Sequence, residues 1–81
     1  MTNRPVKRSL TLNGHRTSVS LEDPFWSAFR DIAAARAQPL NDLAAEIDAA
    51  RTRDEGLASA IRVFVLDHYR AAAASAGARS P

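Results

Sequence analysis

The sequence predicts an α+β domain, an antiparallel β-hairpin followed by three helices. Three observations carry that prediction. Polar and apolar residues alternate on both sides of Asn13-Gly14, Asp23-Pro24 opens a stretch of helical periodicity, and two further apolar stripes follow Pro39 and Gly56. Over residues 7–12 the alternation sets Lys7, Ser9 and Thr11 against Leu10 and Leu12, and over 15–21 it sets Arg16, Ser18 and Ser20 against Thr17, Val19 and Leu21. Asn-Gly between two such runs is the signature of a two-residue type I′ turn, because both central residues need positive φ. That turn fixes the register: Leu12 opposes His15, Thr11 opposes Arg16, and Lys7 opposes Ser20. Opposed residues share a face. One face therefore collects Lys7, Ser9, Thr11, Arg16, Ser18 and Ser20, while the other is apolar except for Arg8 and His15.

Asp23 is expected to cap the first helix, with Pro24 at its first position. Phe25, Phe29, Ile32 and Ala33 recur at helical spacing, with Trp26 at the edge of the stripe, and the helix is expected over about 23–37. Proline disfavours a helical residue before it, so Gln38-Pro39 ends this helix. A second helix is expected over about 40–52, burying Leu40, Leu43, Ala44 and Ile47 and leaving Asp42, Glu46 and Asp48 as a solvated face. The third is expected over about 57–74, and Val63 and Leu66 widen its apolar surface beyond the stripe of Leu57, Ile61, Phe64, Val65 and His68. A helix this apolar needs burial on more than one side. Residues 1–6 and 75–81 read as flexible ends of a single domain spanning 7–74.

Composition narrows the function classes. A chain of 81 residues buries a thin core and commonly needs a disulfide, a metal or a partner subunit. It has no cysteine, and His15 and His68 lack metal-ligand spacing, so oligomerisation is the remaining route and no cofactor is implied. No apolar run approaches a membrane span and no signal-peptide pattern is present, so a cytoplasmic location is expected. No nucleophile, base and orienting group stand in a recognisable arrangement and there is no phosphate-binding glycine loop, which argues against an enzyme. The net charge of +2 is unevenly placed: residues 1–21 hold Arg4, Lys7, Arg8 and Arg16 and no acid, whereas 22–81 hold seven arginines and all nine acids. A basic head on an acidic body suits a polyanionic partner as well as it suits a merely solvated tail.

Arg16-Thr17-Ser18-Val19-Ser20-Leu21, the Asp23-Pro24-Phe25-Trp26 helix start and the Pro39-Leu40-Asn41 turn, in that order and spacing, resemble the ribbon-helix-helix family of the Arc and MetJ repressors. The chain looks closest to a longer bacterial branch with an extra N-terminal strand and a third helix, over roughly residues 7–70. The resemblance implies an intertwined homodimer whose paired strands enter the major groove of double-stranded DNA. It implies base contacts from Arg16, Ser18 and Ser20, and phosphate contacts from Lys7, Arg8 and the helix start at Leu40 and Asn41. It also implies a dimer core of Val19, Leu21, Phe25, Phe29, Leu40, Leu43 and Ile47. The expected role is a transcriptional repressor or an antitoxin with a toxin partner. The alternative is a dimeric protein-interaction module on the same fold without DNA.

Two features depart from the family. Pro39 stands where serine or threonine is frequent and offers no N–H to a phosphate. The preceding strand makes a dimer's sheet four strands wide, about 14 Å between outer axes, against a groove of about 12 Å. Either the outer strands ride over the phosphate rims, or the first strand peels away, or the sheet stays outside the groove.

Overall fold

The computed structural model describes residues 4–78, with side chains to residue 76. Strands β1 (Val6–Leu12) and β2 (His15–Leu21) form an antiparallel hairpin, followed by α1 (Asp23–Ala35), α2 (Leu40–Ala50) and α3 (Leu57–Ala78). The predicted register holds and extends by one pair, Val6 to Leu21. Asn13 and Gly14 take φ of 52° and 82°, the left-handed pair that the two-residue turn requires.

The hairpin lays its apolar face on the helices. Leu10, Leu12, Val19 and Leu21 join Phe29, Ile32, Leu43, Ala44, Ile47, Ile61 and Val65 in one core. Val19, Leu21, Phe29, Leu43 and Ile47 are thus buried within a single chain, and Phe25 and Leu40 are partly buried against them. No second copy is needed to cover these seven residues to that extent, because β1 and α3 supply area that a shorter strand-helix-helix chain lacks.

Several boundaries differ from the sequence reading. Asp23 is not the cap of α1. Glu22 holds the N-cap position with extended φ/ψ of −63° and 148° and no side-chain cap bond, while the Asp23 carboxylate, inside the first turn, pairs with Arg8. α1 stops at Ala35 rather than 37. Ala37 turns left-handed (φ 52°), its N–H donates to the Ala34 carbonyl, and the Gln38 N–H donates to the Ala33 carbonyl, both at 3.0 Å. This is a Schellman stop with alanine where glycine is usual. A left-handed conformation costs an L-residue roughly 1–2 kcal/mol. Ala37→Gly is therefore expected to stabilise the protein by about 0.5–1 kcal/mol after the entropy cost of glycine, read as a higher thermal midpoint; a lower one would count against this stop.

α2 ends at Ala50 rather than 52, because Arg51 is extended and its guanidinium bonds Asp48 Oδ1 (2.6 Å) and the Glu55 carbonyl (2.7 Å). α3 runs to Ala78 rather than 74, so residues 75–78 are helix and not tail. Alanine is the strongest helix former, and the run Ala71-Ala72-Ala73-Ala74 carries the helix onward. Of the ends expected to be flexible, residues 1–3 and 79–81 lie outside the described residues.

Candidate nucleic-acid interface

The outer face of the hairpin presents Lys7, Ser9 and Thr11 from β1 beside Arg16, Ser18 and Ser20 from β2, all six exposed. The strand period of two places them there, and the apolar residues between them hold the sheet on the helices. No acid lies on this face. No carboxylate among the described residues pairs with Lys7 or Arg16, whereas Arg8, Arg36, Arg51 and Arg62 each pair with one. Arg16 thus stands on the ribbon without a carboxylate partner among the described residues, while Arg8, on the opposite face of the same hairpin, has one.

Arg8 departs from its expected place among the phosphate contacts. Its register opposite Val19 turns it to the helix side, where it pairs with Asp23 and its guanidinium carbon lies 5.3 Å from the centre of the Trp26 ring. Asn41 neither caps α2 nor stands free: its Oδ1 accepts the Thr11 N–H at 3.1 Å. At the start of α2 the Pro39 carbonyl takes the N–H groups of Asp42 and Leu43. Those of Leu40 and Asn41 are the pair that a helix leaves without an internal acceptor. Glu46, read as part of a solvated face, accepts a hydrogen bond from Gln38 and lies 3.6 Å from Arg36.

Sequence reasoning missed Arg62. From α3 its Nε and Nη2 fork onto Glu22 at 2.9 and 3.2 Å, Nη2 also donates to the Ser20 carbonyl at 3.1 Å, and the guanidinium lies 5.9 Å from the Phe25 ring centre. The one signal in the sequence is a cation inside an apolar stripe, between Ile61 and Val63, which asks for a partner elsewhere. The Arg62 bonds, together with a backbone bond at Glu22 itself, hold the Glu22 carboxyl below the ordinary glutamate value against the opposing effect of its partial burial. A lowered folded value means that this bridge stabilises fully above the unfolded pKa and is lost as pH falls through the folded one. Glu22→Gln should remove that part of the acid sensitivity. A thermal midpoint that declines with acid identically in both proteins would show the bridge contributes nothing.

Among the described residues no helix is long and apolar enough to cross a membrane, and no group of histidine and carboxylate side chains could hold a metal. Comparison with known families matches residues 5–69 to the ribbon-helix-helix domain. No curated protein and no solved structure matches the chain. Members of the matched family commonly bind DNA as transcription regulators or antitoxins, and the family is regulatory rather than enzymatic. The match takes in the hairpin, α1, α2 and the first half of α3, and on it the chain belongs to the ribbon-helix-helix family.

Proposed function

We propose that two copies of this chain pair through β2 and bind double-stranded DNA in the major groove, as a transcriptional repressor or as the DNA-binding antitoxin of a toxin pair in a bacterial cytoplasm. The observation that carries this reading is the exposed hairpin face with four hydroxyl side chains, no acid, and two cations that pair with no carboxylate among the described residues. Arg16, Ser18 and Ser20 read base edges. Lys7 and the Leu40 and Asn41 N–H groups meet phosphates, the latter pair helped by the dipole of α2.

The width of a four-stranded sheet is accommodated with β1 over the phosphate rims. Leu10 and Leu12 of β1 are core residues, 2% and 8% exposed, so peeling the strand away would open the core. Thr11 is also tied to α2 through Asn41. A rim position brings Lys7 to the backbone, where charge gives affinity without sequence information.

Selection of bound fragments from a random duplex pool, followed by mobility shifts, tests the proposal; no bound duplex at low salt would end it. Affinity should also fall steeply with salt. Lys7 from each of two chains makes about two phosphate-neutralising charges, a loss of about tenfold between roughly 50 and 200 mM salt. A flat response would remove the phosphate role of Lys7.

A second reading, a protein-interaction module, is favoured by the outer side of α3, where Val63, Leu66 and Tyr69 are 50%, 53% and 45% exposed. The same duplex assay separates the two.

A further inference from the structure

We infer that Arg62 is a positioning residue for the ribbon. It fixes the Ser20 end of β2 so that the base-reading side chains stand at a set height and angle over the helices. This rests on the DNA reading above and adds a residue of α3 to it.

The argument begins with the hairpin's hydrogen bonds. A two-residue turn makes Leu12 and His15 a bonded pair, and bonded and non-bonded pairs then alternate along the ladder. With the observed register, Thr11–Arg16, Ser9–Ser18 and Lys7–Ser20 are the non-bonded pairs. Their backbone N–H and C=O groups point away from the hairpin, off its two outer edges. Among the described residues, two side chains meet those edges. Asn41 takes the Thr11 N–H on the β1 edge, and Arg62 donates to the Ser20 carbonyl on the β2 edge. The β2 edge is where a second copy would add its strand.

Arg62 is itself held. Its fork onto both Glu22 oxygens uses Nε and Nη2, and the same Nη2 reaches Ser20, so one planar group ties the strand end, the N-cap of α1 and the second turn of α3. A guanidinium supplies this geometry because its donors are fixed in a plane, and a lysine ammonium does not. The Ser20 carbonyl keeps a second lone pair, so the bond to Arg62 leaves it able to accept from a partner strand. Arg62 therefore steers the edge without closing it. Recognition of base edges requires the reading groups to be held within about 0.5 Å. Ser20 lies on the reading face, two residues from Ser18 and four from Arg16, so a strand end free to shift would loosen all three.

The test compares wild-type protein with Arg62→Lys, which keeps the charge and loses the fork, and with Glu22→Gln, which weakens the fork and leaves Ser20 untouched. The probes are a duplex selected by the wild-type protein and a random-sequence duplex of equal length, with circular dichroism and sedimentation confirming fold and dimer. Arg62→Lys is expected to bind the random duplex as the wild-type protein does and to lose roughly tenfold on the selected one, the loss of about one aligned base contact. Glu22→Gln is expected to lose less, in the same direction. A folded Arg62→Lys with an unchanged ratio between the two duplexes overturns the proposal. If Arg62→Lys does not fold, an unchanged ratio in Glu22→Gln overturns it instead. A wild-type protein that selects no duplex refutes the DNA reading itself, and the positioning role falls with it.

Discussion

Arg16→Ala is expected to weaken the preference for the selected duplex strongly while leaving the fold intact. The side chain is exposed on the ribbon and pairs with no carboxylate among the described residues, so its removal opens no cavity and orphans no partner. A bidentate arginine on guanine O6 and N7 is worth about 1–3 kcal/mol of discrimination. A dimer carries two, so the combined loss is expected to reach at least about thirtyfold. Arg16→Lys separates base reading from charge. Lysine keeps the phosphate attraction but lacks the planar fork, so it should restore binding to random duplex and not the preference. Equal preference in Arg16→Lys and wild-type protein would reduce Arg16 to a point charge. A collapsed circular dichroism spectrum in Arg16→Ala would reassign it to stability.

What the sequence made legible, and what it did not, divides along the range of the interactions. The hairpin register was readable because Asn13-Gly14 leaves one turn geometry and the alternation on each side leaves one inward face; a slip of one residue would turn out either Leu10 and Leu12 or Val19 and Leu21. The stop of α1 was misplaced because the residue taking positive φ is Ala37, which carries no signal of its own; the proline two residues on was the visible marker. The fate of Arg8 depends on the start of α1 coming to rest beside β1, fifteen residues away in the chain. That of Arg62 depends on α3 crossing to a segment forty residues earlier. Periodicity reports which face a residue occupies and is silent on which charge it will meet there. For the same reason the six-residue polar face was legible in full, whereas the residue that holds its Ser20 end was not.

Phe29→Ala is expected to cost the most stability of any single change proposed for this chain. The ring is fully buried at the centre of the core, with Trp26 tilted against it at 6.1 Å between centroids. Emptying such a site costs about 3–5 kcal/mol, part lost transfer energy and part unfilled cavity. A domain of this size holds roughly 4–12 kcal/mol in all, so the loss is a large share of the total and should lower the thermal midpoint by roughly 10–40 °C. Phe29→Leu, which retains most of the volume, should cost far less. Because Phe29 is already buried within one chain, the loss should appear even at concentrations where copies are dissociated. If the native protein is a dimer, its own thermal midpoint rises with concentration by mass action, and that rise should persist in Phe29→Leu. A thermal midpoint for Phe29→Ala within a few degrees of the wild-type value would mean that the core beneath the hairpin is not packed around Phe29 as described, and the rigid platform beneath Arg16 and Ser18 would go with it. The reading face has only two strands of its own, and two-stranded ribbons are marginal without packing against another element. Its geometry is therefore set by the core that Phe29 fills, and the specificity ascribed to Arg16 can be no better defined than that core is packed.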